Sequence, residues 1–590
     1  MKKIYMAFTA TIMASSATAV VPAGDLRIAW DHATLRDITE IPVVNKGYTE
    51  MNIMYPRIKR LADGRLMMSF MNNTYGWEPY VAFSTDNGAT WEGATRLVEQ
   101  VKGRSSAGDD DLVIVNPDFI QLADGTILLA YQRRWKKGYN DLAHTNENCY
   151  IEIMSSADGG ATWTEPRRIY TGRCWEPAML QLPSGEIQMY ITDSNEVKYK
   201  RSQPCTTVIR SFDGGRTWQG KAHCTYKDGE IISRTIDTRG SYDGMASAVR
   251  LDDGSLLLPL EVWSGVHKMD QTPVIIKTDA ATNWRSDQSI RAKGGPDYPA
   301  KKQVNKDLTG YGPYICRLPS GHPLVLAGGA RYKGKPGAWV FVGDRNGDNF
   351  GNATSPFEGY WGCIDYIGDD RVMMAVTQDY KDNGAKRSKT KTAIGRINYA
   401  KKAGAPGRFV APVDFDREKN GFWFLGKEQP SQVFVDFAHT PEAFIIDAYL
   451  FDDEIRAYTP ENSDAVGVLI GRRNASGDYD SYKFTVNAEG AYTLYRLEGT
   501  SWVLADSGTV PVTTVGTVND PSDTDLGFGG RFPIRWELIG GAPAKGENIK
   551  AHIRHYYKTT AKEGPVGATI EEAEGENTDY PAEWLDVTLI

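Results

Sequence analysis

The sequence lacks the features that mark several large functional classes. Its 590 residues carry a formal net charge of −8, which gives no basic surface of the kind that nucleic-acid binding requires. It has no Cys-x-x-Cys motif and no cluster of histidines, so the usual signature of a transition-metal site is missing, and we expect no metal and no cofactor. No apolar run is long enough to span a membrane. Long stretches with a helical period are also missing, which argues against a helical fold.

The N-terminus has the pattern of an export signal. Two lysines precede an apolar stretch over residues 4–14, and an A-x-A sequence at 17–19 has the form of a cleavage site. We therefore expect residues 1–19 to be a signal peptide and the mature protein to be periplasmic or secreted. No cysteine occurs before Cys149, so a lipid-anchored lipoprotein signal is not expected.

Six cysteines follow in what we expect to be an oxidising compartment. Two of them begin strands that lead into a repeated motif described below, and two follow that motif. Local pairs 149–174 and 205–224 and free buried thiols are both compatible with this pattern, because sequence spacing does not set connectivity. The cysteines are Cys149, Cys174, Cys205, Cys224, Cys316 and Cys363.

An eight-residue motif, S-x-D-x-G-x-T-W, occurs three times, at 84–91, 156–163 and 211–218. A degenerate fourth copy lies at 277–284, and a weaker fifth surrounds Asp344. In a tight hairpin the Asp side chain accepts backbone N–H bonds, the Gly supplies a positive φ, and the Trp packs beneath the turn. The motif is therefore architectural, and its aspartates are not candidate catalytic residues.

A second repeat consists of an apolar strand, a turn with glycine, and another apolar strand. It occurs six times in steps of about 50–70 residues, a spacing that fits a four-stranded propeller blade. A solenoid would show shorter and more uniform periods. We therefore predict an all-β protein with a six-bladed β-propeller over residues 25–405. The turn glycines are Gly64, Gly125, Gly185, Gly254, Gly321 and Gly368.

The last third of the chain differs from the propeller. A segment rich in Gly, Pro, Ala and Lys follows residue 399 and has the composition of a linker. Beyond it, residues 412–590 lack both repeats and hold alternating strands, which predicts an antiparallel β-sandwich of the jelly-roll type. This architecture resembles the concanavalin-like modules of bacterial glycoside hydrolases. A carbohydrate-binding role and a role as packing partner of the propeller both remain open.

The axis of a propeller is where its innermost strands converge and where its pocket lies. The six segments before the turns begin YPR, NPD, WEP, DGM, YGP and YWG, and equivalent positions in them should point to the same place. An arginine, carboxylates and aromatic rings together are unusual for a purely structural core. The segments supply Arg57, Asp118, Glu176, Asp243, Tyr311 or Tyr314, and Trp361.

Three further side chains complete the predicted site. Glu261 ends the apolar strand SLLLPLE of the fourth blade, and Trp263 follows it. Trp175 precedes Glu176, and either tryptophan could stack on a sugar ring. We expect Arg57 to bind a hydroxyl or a carboxylate, and Asp118 and Asp243 to orient water or hydroxyls.

The three motif copies resemble the aspartate boxes of the sialidase superfamily, over about 380 residues. In sialidases an R-I-P motif supplies the first of three arginines that clamp the substrate carboxylate, and a Tyr nucleophile assisted by a Glu acts with an Asp acid/base. This chain has Tyr55-Pro56-Arg57-Ile58 instead of R-I-P. Arg250 and Arg331 are the candidates for the other two arginines.

The short motifs are more similar to glycoside hydrolase family 93, the exo-α-1,5-L-arabinanases, which share this propeller. The matching residues are Y-P-R at 55–57, W-E-P followed by an apolar strand and L-P-x-G at 175–185, G-M at 244–245, and the acid Glu261. In that family two glutamates carry out retaining hydrolysis, and the resemblance places them at Glu176 and Glu261. Retaining glycosidases use one carboxyl group as nucleophile and one as acid/base. We favour Glu176 as the nucleophile and Glu261 as the acid/base.

The sequence therefore favours an exo-acting, arabinanase-like glycoside hydrolase that acts on a plant or host glycan and is expected to be a monomer. A sialidase acting on a 2-keto acid sugar is the first alternative. A propeller that binds carbohydrate without catalysis is the second, and a propeller that works through protein contacts is the third. The catalytic hypotheses require Glu176 and Glu261 to face each other in one axial pocket, and three convergent arginines would favour the sialidase.

Overall fold

The computed structural model describes most of the chain beyond residue 25. The predicted signal peptide at 1–19 and residues 400–407 of the predicted linker lie outside the described residues. The described ranges are 26–31, 34–44, 49–74, 76–264, 269–285, 297–298, 301–399, 408–411, 423–425, 432–452, 454–459, 462–520, 525, 527–558, 567–569, 581 and 584–589.

Six sheets form a six-bladed propeller, as the repeats predicted; their pairs are antiparallel except for Cys224–Thr225 at the outer edge of blade 2, which pairs in parallel. Counted outwards from the axis, blade 1 contains Met54–Arg60, Leu66–Asn72, Glu78–Ser84 and Thr95–Arg96. Blade 2 contains Gly108–Gln121, Ile127–Trp135, Cys149–Ser156 and Arg167–Thr171, with Val101–Ser105 and Cys224–Thr225 added at its edges. Blade 3 contains Cys174–Gln181, Ile187–Asp193, Cys205–Ser211 and Glu230–Thr235, extended by Asp297–Tyr298.

The second half of the propeller repeats this plan. Blade 4 contains Ser241–Gly244 and Val249–Arg250, then Leu256–Ser264, Met269–Thr278 and Lys302–Gln303. Blade 5 contains Leu308–Arg317, Pro323–Tyr332, Lys335–Val342 and Gly351–Thr354. Blade 6 contains Tyr360–Gly368, Arg371–Asp382 and Ala385–Tyr399, and Arg36–Ile38 also pairs with its third strand.

The outermost strand of blade 6 comes from the other end of the propeller sequence. Leu26–Trp30 pairs antiparallel with Ala385–Tyr399. The indole N–H of Trp30 donates to the Thr354 hydroxyl of blade 5 at 3.0 Å, and Leu26, Ile28 and Trp30 are buried in a cluster with residues of blades 5 and 6. The first described strand therefore closes the ring.

Each inner strand carries a bulge of one extra residue. In blade 1, Arg57 is three positions after Met54, whereas their partners on the second strand, Ser69 and Met71, are two positions apart. The same difference of one residue occurs in the other five blades. The bulge residue has a positive φ of 44° to 59° in all six, and five of the six are not glycine. The bulge residues are Tyr55, Asn116, Glu176, Met245, Gly312 and Trp361.

The aspartate boxes hold turns on the opposite face of the propeller from these bulges. They follow the third strand of a blade, which runs in the same direction as the first, so the box and the bulge lie at opposite ends. Asp158 accepts hydrogen bonds from the Thr162 N–H at 2.9 Å and from the Thr162 hydroxyl at 2.5 Å. These bonds, with one from Ser156, lower the pKa of Asp158 to about 2. Asp86, Asp213 and the degenerate Asp279 hold their turns in the same way.

The C-terminal part is a β-sandwich with its own apolar core. One sheet contains, in order, Arg408–Ala411, Leu585–Leu589, Asn548–Tyr557, Ala465–Arg473, Tyr479–Asn487, Ala491–Glu498 and Ser501–Thr509, and Gly567–Thr569 pairs with the third of these. The other contains Trp423–Leu425, Gln432–His439, Ala443–Phe451, Gly527–Arg535 and Thr513–Val515. All pairs are antiparallel except the first pair of the larger sheet.

The remaining elements are short. Two-stranded ribbons join Glu40–Pro42 with Thr49–Met51, Val197–Lys198 with Arg201–Ser202, and Ala457–Thr459 with Asn462–Ser463. The helices are Gly138–Asn140, Leu142–His144, Thr145–Asn148 and Trp536–Ile539. No helix in the described ranges is long and apolar enough to cross a membrane.

All six cysteines are buried and free. Of the two local pairs considered from the sequence, Cys149 and Cys174 place their Sγ atoms 3.6 Å apart. Cys205 and Cys224 lie in different apolar clusters. The fold therefore brings together one of the two pairs without joining it.

Candidate active site

A cavity of about 320 Å³ opens on the bulged face of the propeller, where the inner strands begin. Bulge residues of three blades contribute to its wall, and aromatic rings form much of the rest. The lining residues are Met71, Trp77, Val113, Val115, Asn116, Arg134, Lys136, Trp175, Glu176 and Trp361. Non-glycine residues with positive φ cost of order 1–3 kcal/mol each, and such strain concentrates at functional sites. The cavity and the strained bulge residues therefore both indicate a functional site at the bulged end of the propeller axis.

The bulge of blade 3 places Glu176 in the cavity wall. Its φ of 44° turns the carboxyl group out of the alternation that the strand would otherwise impose. Tyr242 of blade 4 donates its hydroxyl to Glu176 Oε2 at 3.3 Å, and Thr192 also hydrogen-bonds to this carboxyl group. Burial raises the pKa of Glu176 to about 7, and the charge of Glu261 adds to the rise. Near neutral pH the group can therefore hold or release a proton.

Glu261 lies on the second strand of blade 4, paired with Gly244 beside the bulge of that blade, and its charge acts on Glu176. Its Oε2 accepts the N–H of Gly312, the bulge residue of blade 5, at 3.1 Å. Burial raises the pKa of Glu261 to about 7, against the effect of this hydrogen bond. Glu176 lines the cavity, whereas Glu261 does not. The link between the two predicted glutamates is the charge of Glu261, which acts on the Glu176 carboxyl group.

Glu261 lies at a position whose side chain accepts a backbone hydrogen bond from the next blade, and the equivalent positions of two other blades do the same. On the second strands of blades 3 and 6 the equivalent residues are Thr192 and Thr377, and their hydroxyls accept the bulge N–H of the next blade, from Met245 at 2.9 Å and Tyr55 at 2.8 Å. Glu261 does the same for Gly312. A threonine is sufficient for this bond, so the carboxyl group at 261 brings a titratable function that the bulge does not require.

Tyr242 interacts with both glutamates. It is half-buried, and the loss of solvent around its hydroxyl together with the charges of Glu176 and Glu261 raises its pKa well above the usual value for tyrosine. The phenol therefore stays protonated and acts as a hydrogen-bond donor to Glu176. A Cβ added at Gly244 would lie 2.7 Å from the Tyr242 ring and 2.7 Å from Thr192 Oγ1. Any side chain at position 244 would therefore collide with Tyr242 and Thr192, the two residues that hydrogen-bond to Glu176.

Three predicted site residues form a buried cluster on the axis beneath the bulges. Asp118 of blade 2 accepts the Tyr314 hydroxyl of blade 5 at 3.4 Å and lies 3.8 Å from Arg57 Nε. The Arg57 guanidinium donates to the carbonyls of Pro56 at 2.8 Å and Gly362 at 3.1 Å, and it stacks on Tyr314 with 4.9 Å to the ring centroid. These contacts join opposite blades, and none of the three residues lines the cavity. The expected role of Arg57 and Asp118 in holding substrate finds no support in this placement.

Asp243 and Trp263 also lie apart from the cavity wall. Asp243 is fully buried, accepts the Ser233 hydroxyl at 2.6 Å, and is paired with Lys301 Nζ at 3.1 Å. It precedes its bulge residue by two, the position of the buried residues Ile114 and Cys174 in blades 2 and 3. Trp263 is half-buried near Gly240 and does not line the cavity. Of the residues predicted from the sequence, Trp175, Glu176 and Trp361 line the cavity.

The two further arginine candidates do not join the cavity. Arg250 is exposed next to the turn at Gly254. Arg331 is exposed and donates to the Gly334 carbonyl at 3.0 Å. In the described part of the chain, the cavity wall contains one arginine, Arg134, so the three-arginine cluster considered from the sequence is not assembled there.

Several cavity residues were missed by the sequence analysis. Arg134 lies at the end of the second strand of blade 2 and Lys136 directly follows this strand, where no repeated motif marks them. Trp77 comes from the loop before the third strand of blade 1. Tyr242, which hydrogen-bonds to Glu176 without lining the cavity, lies three residues before its bulge and was also missed. One signal was available: four of the six bulge residues precede a proline, namely Tyr55, Asn116, Glu176 and Gly312. An alignment of the blades on these prolines identifies the bulge positions and distinguishes them from the positions two residues before or after.

The arrangement can supply one acid and one base at neutral pH. Two carboxyl groups with pKa values of about 7 that interact electrostatically hold one proton between them over a range around neutrality. Trp77, Trp175 and Trp361 offer apolar faces on which a sugar ring can pack. Among the described residues there is no cluster of His, Cys, Asp or Glu suited to hold a metal ion.

Part of the propeller is similar in sequence to known proteins. Residues 143–309 match the family model described as a BNR repeat-like domain. A sialidase from Clostridium perfringens is 26% identical over 164 residues, which is 25% of this chain and 41% of that protein. The match thus spans less than half the length of this relative.

Solved structures align over a larger share of the chain at lower identity. An α-L-arabinofuranosidase of family GH93 from Fusarium graminearum, in complex with arabinobiose, has a TM-score of 0.42 and 15% identity over 61% of this chain and 97% of that one. A sialidase mutant from Streptococcus pneumoniae has a TM-score of 0.41 and 10% identity over 58% and 68%. A protein of unknown function from Dyadobacter fermentans has a TM-score of 0.41 and 15% identity over 65% and 100%. Residues 143–309 are similar to BNR repeat-like domains, and the chain has a sialidase homologue.

Proposed function

We propose that this protein is a retaining, exo-acting glycoside hydrolase in which Glu176 and Glu261 are the two catalytic carboxyl groups. The observation that carries the proposal is a half-buried carboxyl group, Glu176, in the wall of the cavity, on which the charge of a second glutamate, Glu261, acts; burial raises the pKa of each to about 7. Glycoside cleavage requires a protonated acid and an ionised carboxylate at the same time. The sialidase relative and the similarity to family 93 motifs support the same class of reaction.

In this mechanism Glu176 attacks the anomeric carbon and Glu261 protonates the leaving oxygen. The bond from the anomeric carbon to that oxygen breaks as a bond to Glu176 forms. Glu261, now ionised, takes a proton from water, and the water oxygen displaces Glu176. Tyr242 would hold the Glu176 carboxylate by its hydrogen bond.

The first experiment is a product assay on linear arabinan, sialyl-lactose and pectic oligosaccharides. We expect release of a single sugar from one substrate class by the native protein. The variants Glu176→Gln and Glu261→Gln should each lose about 10²–10⁴-fold in kcat. Glu92→Gln, an exposed glutamate beside an aspartate box, is the matched control and should keep full activity. Native rates from both site variants would contradict the assignment.

A sialidase is the second candidate, and one observation favours it. Sialidases use a Tyr assisted by a Glu, and the Tyr242–Glu176 hydrogen bond brings these two groups together. The raised pKa of Tyr242 opposes its use as a nucleophile. Tyr242→Phe separates the candidates: a sialidase of this kind would lose nearly all turnover, whereas the two-glutamate enzyme would lose about tenfold through a misplaced carboxylate.

The remaining parts of the proposal concern location and assembly. The signal-like N-terminus supports export to the periplasm or the medium, where a plant or host glycan would be met. We propose that the protein acts as a monomer on this glycan. The β-sandwich, which resembles concanavalin-like modules in its strand pattern, is proposed to pack beside the propeller or to bind the same glycan.

A further inference from the structure

One wall of the cavity is cationic because of the alternation along the second strand of blade 2. Successive side chains of a strand point to opposite faces. Arg133 points away from the cavity and pairs with Glu152 at 3.1 Å, whereas Arg134 lines the cavity. Lys136, two residues further, lines the same wall. We call Arg134 and Lys136 the cationic wall.

The guanidinium of Arg134 lies over aromatic rings. Its central carbon is 4.3 Å from the Trp175 ring centroid and 4.9 Å from that of Tyr139. A third cation, Arg173, lies 4.5 Å from the same Tyr139 ring. The Trp175 N–H donates to the Tyr139 hydroxyl, which fixes the two rings against each other. Trp175 directly precedes Glu176, so Arg134 is held next to the proposed nucleophile.

These cations have no carboxylate within ion-pair distance among the residues that the structure describes. Asp110, whose charge acts on Arg134, uses its own carboxylate to accept the N–H groups of Lys137 at 3.0 Å and Gly138 at 2.9 Å. Burial lowers the pKa of Arg134, but a guanidinium remains charged at neutral pH. A half-buried guanidinium that faces a cavity and forms no ion pair within the described ranges is a binding group for an anion, and its planar fork matches a carboxylate.

We infer that the cationic wall binds a carboxylate of the sugar in the cavity, so that the substrate is an acidic sugar residue. The inference rests on the proposed function of the site and names its substrate class. The sugar ring would pack on Trp175 while its carboxylate accepts hydrogen bonds from Arg134, with Lys136 adding charge at the entrance. Uronic acids and 2-keto acid sugars share this chemistry. Arabinose carries no carboxylate, so the inference also separates this chain from an enzyme of neutral arabinan.

Binding measurements test the inference without reference to turnover. Quenching of tryptophan fluorescence would be followed during titration with D-galacturonate, N-acetylneuraminate, D-galactose and L-arabinose. We expect one acidic sugar to bind at least tenfold more tightly than both neutral sugars, and the difference to shrink with added salt. The stronger of the two acids identifies the source of the carboxylate. Equal affinity for acidic and neutral sugars, or no binding of either acid, would overturn the inference.

Variants assign the preference to the wall. Arg134→Met removes the charge at similar length and should weaken binding of the acidic sugar roughly 10- to 100-fold, with neutral sugars unaffected. Arg134→Lys keeps the charge without the planar fork and should recover part of the loss. Lys102→Gln, an exposed lysine elsewhere on blade 2, is the charge control and should bind as the native protein does. An Arg134→Met protein with unchanged preference would refute the assignment.

The failure of this inference and of the proposed function can be told apart. Glu176→Gln should lose turnover but retain the preference for the acidic sugar, since the cationic wall is intact. A native protein that binds acidic sugars and hydrolyses no glycoside would contradict the proposed function alone. A native protein that hydrolyses only neutral glycosides would contradict the inference alone.

Discussion

The two glutamates of the candidate site should destabilise the folded protein at neutral pH, and their amides should stabilise it. Glu176 and Glu261 each have a pKa of about 7 in the fold, against 4.5 without it. A raised folded-state pKa means that the folded protein binds the proton more tightly. The stability that each group contributes is therefore fully present below pH 4.5 and is lost as the pH rises through 7. Replacing the carboxyl group by an uncharged amide removes this loss.

The magnitude follows from the size of the shift. A pKa change of one unit corresponds to 1.36 kcal/mol, so a rise from 4.5 to about 7 corresponds to at most about 3 kcal/mol for each group. The charge of Glu261 contributes to the pKa shift of Glu176, so the double variant gains less than the sum. Because Gln at 176 keeps only part of the bonding with Tyr242 and Thr192, we expect a net gain of roughly 1–2 kcal/mol for Glu176→Gln at pH 8.

Calorimetric unfolding at pH 5 and pH 8 measures this effect. For a domain of this size, 1 kcal/mol moves the thermal midpoint by about 1 °C. We expect Glu176→Gln and Glu261→Gln to raise the midpoint of the propeller by roughly 1–3 °C at pH 8 and by less than 1 °C at pH 5, while both lose activity. The control Glu92→Gln should shift neither value. A midpoint that falls at pH 8, or that moves equally at the two pH values, would refute the burial and coupling of the pair.

Three further substitutions separate the site from its scaffold. Gly244→Ala should lower kcat at least tenfold in a sugar-release assay, because its Cβ would lie 2.7 Å from the Tyr242 ring; unchanged kinetics would mean that this ring does not position Glu176. Asp213→Asn, in the third aspartate box, should lower the thermal midpoint and leave kcat unchanged, since it loses the carboxylate that accepts the Thr217 bonds; a selective loss of kcat would contradict the architectural role. Arg57→Met leaves Asp118 buried beside fewer donors and should cost about 3–5 kcal/mol in denaturant unfolding; an intact fold with weaker sugar binding would instead make Arg57 a substrate contact.

The blade count could be predicted because two independent periods coincide in the sequence. The aspartate box and the glycine turn both depend on local chemistry, hydrogen bonds to Asp and a positive φ, which the residue types reveal directly. The closing strand at Leu26–Trp30 carries neither motif, and its pairing with Ala385–Tyr399 spans the whole propeller. Such a long-range pair has no local signal.

The site was predicted only in part, because the residues taken as equivalent in the six inner strands lie at different distances from the bulge of their own strand. Glu176 and Trp361 are bulge residues, Arg57 and Asp118 lie two residues beyond theirs, and Asp243 lies two before its own. Each two-residue step keeps a side chain on one face of the strand but moves it about 7 Å along the axis. The predicted site therefore combines residues from three different regions: the cavity, the buried axial cluster and the core between blades.

The cationic wall could not be found from the repeats at all. Arg134 lies at the end of the second strand of blade 2, and Lys136 directly follows that strand; neither position belongs to the repeated motifs. Their proximity to Trp175 comes from the packing of blade 2 against blade 3. A sequence comparison restricted to inner strands omits such residues.

The central claim is that Glu176 forms the covalent intermediate of a retaining glycosidase. An activated 2-fluoro derivative of the sugar released in the product assay would trap this intermediate, and peptide mass spectrometry would locate it. The account predicts the adduct on Glu176, with no adduct in Glu176→Gln. An adduct on Tyr242 would assign sialidase chemistry to this site, and its absence from an active enzyme would contradict the retaining mechanism.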